Sequence, residues 1–181
     1  MIEDLVRDPA KQFPDLGRPE AVTALRVWFC KYRSLSPVAD LPNLQTLVVA
    51  GYPDADLTPF AGLTNLRYLR LLDFPKVRDL SPLVELTNLR TLRLATLPSW
   101  DSSGRVLEVA SLAPLSRLPR LQHLELFGVR PPDKSLVPLE ASPTLRTLRV
   151  SKYPQTEVVR YRAATGQSGA FAPAPGVADW D

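Results

Sequence analysis

The sequence predicts an α/β-type solenoid in which short parallel strands stack into one curved sheet. Leucines recur at a fixed spacing, and the six repeat units start at positions 19, 41, 63, 86, 118 and 142. A proline-containing phrase follows the leucines of each of the first five units. Self-similarity at this period is the signature of stacked units that each contact only their neighbours.

The strand of each unit is expected where apolar and other residues alternate with a period of two, as in a strand buried on one face. The clearest copy runs through Leu41, Leu44, Leu47 and Val49. The same spacing starts again at Leu63, Leu86 and Leu118, and weaker copies start at Pro19 and Ser142. Because one unit cannot bury its leucines alone, the units must stack, which predicts about six parallel strands.

The return leg of each unit is expected in the proline-containing phrase, since proline suits positions that make no ladder hydrogen bond. We place these phrases on the convex side, as irregular chain or as short helical or 3-10 turns. They begin at Leu35, Leu57, Leu80, Leu112 and Leu136.

One phrase carries a family resemblance. Residues 79–89 read D-L-S-P-L-V-E-L-T-N-L, and with the six phased copies this resembles the leucine-rich-repeat family in its 22-residue, internalin-like class. The resemblance covers roughly residues 19–160 and implies a binding protein. The family usually places asparagine three residues after the last strand leucine, whereas this chain has Cys30, Tyr52, Phe74, Leu97, Val129 and Tyr153. We expect an apolar spine to replace the asparagine ladder.

Both ends of such a stack expose leucines and need caps. The predicted organisation is an N-terminal cap over residues 1–18, a solenoid over 19–162 with an insertion near 98–110, and a flexible Ala/Gly/Pro-rich tail over 163–181. Local patterns further predict a short helix and an extended piece in the cap, a helical turn over 105–110 and a closing strand over 156–162.

Composition excludes several function classes. The only cysteine is Cys30 and the only histidine is His123, so neither an intrachain disulfide nor a zinc site of several such ligands can form. Four strand spacings would put these residues about 19 Å apart, too far for a catalytic dyad. We find no glycine-rich phosphate loop, and we expect no leader peptide and no membrane segment. We therefore predict a non-enzyme without cofactor or metal.

Single-cysteine usage favours a reducing cytoplasm, and the excess of 17 arginines over 5 lysines is typical of a GC-rich bacterium. The net charge of +3 is mild. A nucleic-acid binder usually concentrates basic residues on its surface far more strongly.

Alternation directs three columns of side chains toward the concave face. The columns are Ala24, Thr46, Tyr68, Thr91, His123 and Thr147; Arg26, Val48, Arg70, Arg93, Glu125 and Arg149; and Trp28, Ala50, Leu72, Ala95, Phe127 and Ser151. Exposed Trp, Tyr and Arg are the residues most enriched at interface hot spots. The predicted partner-binding residues are Arg26, Trp28, Tyr68, Arg70, Leu72, Arg93, His123, Glu125, Phe127 and Arg149, with Trp100 in the insertion as a second candidate surface.

Ordinary structural roles compete with these predictions. Glu125 stands between Arg93 and Arg149, which also fits a cross-strand charge ladder. Arg70 and Arg93 have no acid between them, and stacked like charges repel by about 1 kcal/mol even in water. The N-terminal cap could cover Trp28, and the insertion around Trp100 could be filler.

The leading functional prediction is a bacterial cytosolic protein-binding module whose partner presents acidic and apolar surface. Its role would be to neutralise a toxin or to form part of a complex. One alternative is nucleic-acid or nucleotide binding by the concave arginines, with Trp28 and Tyr68 as stacking platforms. Another is a recognition subunit of a larger enzymatic assembly.

Overall fold

The computed structural model describes residues 1–177 and residue 180. Ala178, Asp179 and Asp181 of the predicted tail lie outside the described residues. The strands of the described residues are, in chain order, β1 Ile2–Val6, β2 Ala24–Trp28, β3 Thr46–Ala50, β4 Tyr68–Leu72, β5 Thr91–Ala95, β6 Leu107–Glu108, β7 His123–Phe127, β8 Val129–Arg130 and β9 Thr147–Val150. Seven of them form one parallel sheet in the order β1-β2-β3-β4-β5-β7-β9, and β6 and β8 form a separate pair. The predicted α/β solenoid of stacked parallel strands is confirmed.

The repeat leucines lie in register and form the core. Leu47, Leu69, Leu92 and Leu124 are direct neighbours across β3, β4, β5 and β7, and all four are fully buried. Because each strand adds the same apolar side chains at the same height, the core continues through the whole stack.

The proline-containing phrases form the opposite side of the core, as predicted. Each makes one short turn with proline at its first or second position, where the missing N–H costs no hydrogen bond. The 3-10 turns are Pro19–Ala21, Ser36–Asp40 and Ser81–Glu85; the α-helices are α1 Thr58–Ala61, α2 Pro98–Ser102, α3 Ala113–Ser116, α4 Val137–Glu140 and α5 Gln155–Thr165.

The predicted apolar spine is present at three of its six positions, where Tyr52, Phe74 and Val129 are almost fully buried. Cys30 and Tyr153 are half-buried against the core, and Leu97 is half-buried. The residue before each of the three buried residues has a positive φ, and at Gly128 this is coupled to a close approach: a Cβ there would lie 2.2 Å from Oγ1 of Thr96. Glycine is therefore required at this turn.

An asparagine ladder does exist, at a different place in the repeat. The asparagine that opens each of three strand segments donates its side-chain N–H to a backbone carbonyl of the preceding unit. The pairs are Asn43 with Glu20 at 2.8 Å, Asn65 with Pro42 at 2.9 Å and Asn88 with Thr64 at 2.7 Å. These bonds tie successive units together at the entry to the sheet.

The prediction of a short helix within residues 1–18 is wrong, since the chain there forms strand β1. Its residues pair in parallel with β2 from Ile2 with Ala24 to Val6 with Trp28. An extended segment satisfies the unpaired backbone groups of the sheet edge, which a helix could not do. Leu5 packs against the core from this end.

The prediction of a strand over residues 156–162 is also wrong. This segment lies in α5, which begins after Pro154 and ends at Gly166 in the left-handed conformation. The helix buries Tyr161, and Val158 packs partly against the same core. Their spacing of three residues gives an apolar face that covers the last unit.

The predicted insertion contains α2 and β6, so the expected helical turn over 105–110 is wrong. Strand β6 pairs in parallel with β8 as a separate two-stranded sheet. Leu107 and Val109 are buried on one side of this extended segment, which explains why it is not helical. Trp100 in α2 is half-buried and packs against the core, with the Arg105 guanidinium 4.6 Å from its ring.

Candidate functional site

The three predicted columns exist on the concave face. Strand register places Tyr68 beside Thr91, Arg70 beside Arg93, and Leu72 beside Ala95, and it continues through the other repeat strands. Strand β1 extends the middle column by one residue, Asp4, which stands next to Arg26. Ten of the eleven predicted partner-binding residues therefore lie on one face; the exception is Trp100.

Glu125 organises the charges of the middle column. Its side chain is almost fully buried, and its two oxygens lie 2.8 Å from Nε of Arg93 and 3.3 Å from Nη1 of Arg149. At the other end of the column, Arg26 pairs with Asp4 at 2.6 Å. The expected cross-strand charge ladder is present.

Arg70 and Arg93 are direct neighbours across β4 and β5, as predicted, and each also contacts other residues. Arg93 forms an ion pair with Glu125 on the neighbouring strand, and it also donates to the Tyr68 hydroxyl at 3.2 Å. Arg70 turns toward Trp28, with its guanidinium carbon 5.6 Å from the ring. The two arginines therefore point their charge at different neighbours.

A residue outside the predicted set completes the aromatic part of the face. Trp180 is 4% exposed and packs with Ala24, Val48 and Tyr68, while Trp28 lies at the edge of this cluster. The Arg26 guanidinium lies 5.4 Å from the Trp180 ring. Tyr68, predicted as an exposed contact residue, is covered for this reason. Trp28 remains half-buried on the concave face, beside the paired strand β1.

The segment that carries Trp180 crosses the sheet from β9 toward β2. Ser168 forms a bridge to Thr147 on β9, and its carbonyl accepts the N–H of Leu148 at 3.0 Å. Farther along, Ala172 donates its N–H to Glu125 on β7 at 3.1 Å. Phe171 stacks on Arg149, with 3.6 Å between the guanidinium carbon and the ring centroid. We call residues 166–181 the tail segment, of which the structure describes residues 166–177 and 180.

Two cavities open on the concave face, and the tail segment lines the first of them. The first, of about 350 Å³, lies between the Pro173–Gly176 stretch of that segment and the upstream ends of the strands, where His123 and Tyr68 are among the lining residues. The other, of about 340 Å³, lies at the downstream ends of the strands. It is lined by Arg70, Leu72, Ala95, Thr96, Leu97, Pro98, Phe127 and Ser151. This second cavity joins the concave face to the start of the insertion.

His123 and Cys30 contact different residues, on different strands of the sheet. The Nδ1 atom of His123 lies 2.9 Å from the Thr147 hydroxyl, and burial, helped by the nearby Arg146 charge, lowers the pKa of His123. The Cys30 thiol donates to the Leu5 carbonyl at 3.2 Å. Among residues 1–177 and 180, no group of three or more His, Cys, Asp or Glu residues could hold a metal ion.

Sequence reasoning missed Trp180, Phe171 and Asp4 as members of this face. A signal for the first two was present: they are the aromatic residues of a stretch otherwise made of small residues, proline and polar side chains. A large aromatic in such a stretch has no local core to join, so a distant surface must receive it.

Together the stacked units and the buried leucines give the chain the fold of a leucine-rich-repeat solenoid. The chain resembles internalin F of Listeria monocytogenes, with a TM-score of 0.55 and 18% identity over 87% of this chain and 51% of that one. It thus spans about half the length of internalin F.

Two further solved structures are similar. Internalin C2 of Listeria monocytogenes has a TM-score of 0.46 and 22% identity over 77% of this chain and 67% of that one. A chain of the mouse RP105/MD-1 complex has a TM-score of 0.42 and 20% identity over 83% and 34%. No protein-family model matches the sequence, and no curated protein matches it. In the described part of the chain, no helix is long and apolar enough to cross a membrane.

Proposed function

We propose that the chain is a non-catalytic protein-binding module that uses its concave face. The observation that carries this proposal is the position of the tail segment, because an extended polypeptide already lies on that face. Glu125 accepts a backbone N–H of the segment, and Arg70 donates to a backbone carbonyl, that of Trp180, at 3.3 Å. The face thus holds both kinds of group that a peptide backbone requires.

The partner chemistry follows from the same side chains. Arg26, Arg70 and Arg149 are half-buried along one line of the face, and each lies close to an aromatic ring. A partner that presents carboxylates and apolar groups would find charge-assisted hydrogen bonds beside stacking surfaces. Leu72 and Phe127 add apolar lining in the downstream cavity.

The charge balance supports a protein partner over a nucleic acid. Glu125 and Asp4 neutralise part of the arginine column, and the whole chain carries a net charge of only +3. A nucleic-acid interface depends on a concentrated basic surface and would show a steep dependence of affinity on salt. Binding with that dependence, and with no protein partner recovered, would favour the alternative.

Within this function we propose a bacterial cytoplasmic role, either neutralising a toxin or joining a complex. A third role is recognition for a larger enzymatic assembly. Co-purification from the native host distinguishes these roles. A toxin antagonist would bring down one protein, whereas a subunit would bring down a defined assembly, with enzymatic activity in the third case.

The partner recovered by co-purification allows a test of the binding face, in which its affinity for variants of the chain is measured. We expect Arg70→Glu to weaken binding of the recovered partner at least tenfold, a loss of about 1.4 kcal/mol. Arg33→Glu is the matched control, because Arg33 is exposed and lines a different surface, beside Lys11 and Pro37. If the Arg70→Glu and Arg33→Glu proteins both bind the partner as tightly as wild type does, the partner uses another surface.

A further inference from the structure

The tail segment makes contacts of the kind a bound ligand makes. Trp180 is buried against a small cluster that is separate from the leucine core. Its carbonyl accepts a hydrogen bond from Arg70, and its ring lies near the Arg26 guanidinium. A single aromatic anchor in a basic and aromatic site is the usual centre of a binding hot spot.

The rest of the tail segment is held at intervals. Phe171 contacts Arg149 but is 77% exposed, whereas Pro175 is buried. Between these points the cavity of about 350 Å³ lies beneath the segment. The segment is therefore bound at a few positions, unlike the repeat units, whose leucines are continuously packed.

The composition of the tail segment also indicates that it binds to the face and does not form part of the folded core. The tail segment is made largely of Ala, Gly and Pro, which cannot bury enough surface to fold on their own. Its two acids, Asp179 and Asp181, flank Trp180 in the sequence. An acidic stretch with one tryptophan matches a face where Arg26 and Arg70 surround the tryptophan site.

We propose that the concave face binds an extended, acidic segment of a partner protein that presents a tryptophan, and that the tail segment holds this site as a tethered competitor. This inference rests on the proposed function, to which it adds the partner's chemistry and a control on access. A tethered ligand acts at an effective concentration of about millimolar for a short flexible linker. Gly166, left-handed at the end of α5, marks where the tether begins.

The test uses a labelled peptide with the sequence of residues 166–181 and full-length proteins, with binding followed by fluorescence anisotropy. Because the peptide must displace the tethered copy, we expect Trp180→Ala protein to bind it at least tenfold more tightly than wild type. Val137→Ala, an exposed change in α4, should bind like wild type. A peptide with alanine at the Trp180 position should bind Trp180→Ala protein at least tenfold more weakly.

Equal binding of the peptide by wild-type and Trp180→Ala proteins, or no binding by the variant, would overturn the proposal. Phe171→Ala guards against a folding defect, since its exposed ring cannot support the core. This variant should shift peptide affinity in the same direction by a smaller factor; an unchanged affinity would count against a displaceable tail.

The recovered partner separates this inference from the proposed function. If Arg70→Glu abolishes partner binding but Trp180→Ala does not strengthen it and the peptide does not compete, the face binds the partner and the tethered-competitor inference is wrong. If the peptide results hold while the partner ignores Arg70→Glu, the proposed function of the face is wrong.

Discussion

Glu125 is buried to 99% on the concave face, where it bonds to Arg93, Arg149 and the N–H of Ala172. We expect Glu125→Gln to lower the free energy of unfolding by about 1.5–3 kcal/mol, the range for hydrogen bonds to charged groups. The reason is that both arginines lose their counter-charge while they stay partly covered. Glu85→Gln, at an exposed carboxylate, is the control for a urea titration, and equal midpoints would contradict this account.

Leu69 lies at the centre of the core and is fully buried. Its truncation to alanine should cost about 2–5 kcal/mol, because the stacked units on both sides limit collapse of the cavity. Denaturant titration measures the loss, and Val137→Ala, at a side chain 53% exposed, provides the comparison. Similar losses at both positions would mean that Leu69 does not belong to the packed core.

At this scale the sequence predicts which side chains face which way, because strand alternation alone decides it. Alternation also predicts that Glu125 lies beside Arg93 on the next repeat strand, and the two form an ion pair. The sequence does not predict how Tyr68 is engaged, because Tyr68 is covered by Trp180, a residue far away in the sequence. This contact depends on the path of the tail segment, which carries no repeat pattern.

Helix α5 is fastened to α4 through Glu157. This carboxylate bonds to the Arg160 side chain at 2.7 Å and accepts the N–H of Leu136 at 2.6 Å. The hydrogen bond from Arg160 is the largest cause that lowers the pKa of Glu157 to about 2, from an ordinary value of 4.5. Since the pKa is depressed on folding, the stabilisation is complete above pH 4.5 and is lost as pH falls toward 2.

We therefore expect Glu157→Gln to lower the melting temperature at neutral pH. The difference from wild type should shrink as pH falls from 4.5 toward 2. Thermal unfolding followed by circular dichroism across this range tests the effect. Glu20→Gln, at an exposed carboxylate far from α5, controls for the loss of one negative charge. A difference that stays constant with pH would show that Glu157 acts by packing alone.

The elements that were predicted correctly belong to the repeat, whereas those that were predicted wrongly occur only once in the chain. Strands β2 to β5, β7 and β9 repeat a phrase, so each copy supports the assignment of the others. Strand β1 and α5 occur once each. Residues 156–162 alternate in hydrophobicity, yet Val158 and Tyr161 also share a helical face, and the cap geometry between Pro154 and Gly166 decides for the helix.

The whole molecule brings together two surfaces that the sequence kept separate. The downstream cavity is lined by Leu72 and Phe127 from the concave face and by Leu97 and Pro98 from the start of the insertion. Trp100, which the sequence indicates as a second candidate binding surface, packs on the core beside Arg105. The insertion thus extends the concave face, and its tryptophan serves the fold.

This arrangement predicts how a partner's binding responds to changes on the two surfaces. Leu72→Asp should weaken binding at least tenfold, about 1.4 kcal/mol, because it places a charge in the apolar part of the cavity. Trp100→Ala should weaken binding by less than about threefold, because Trp100 is not among the residues that line the cavity. Titration calorimetry with the recovered partner measures both, and Leu72→Ala, which removes side-chain bulk without adding charge, controls for stability. A large loss with Trp100→Ala and none with Leu72→Asp would place the partner on the insertion edge and not on the concave face.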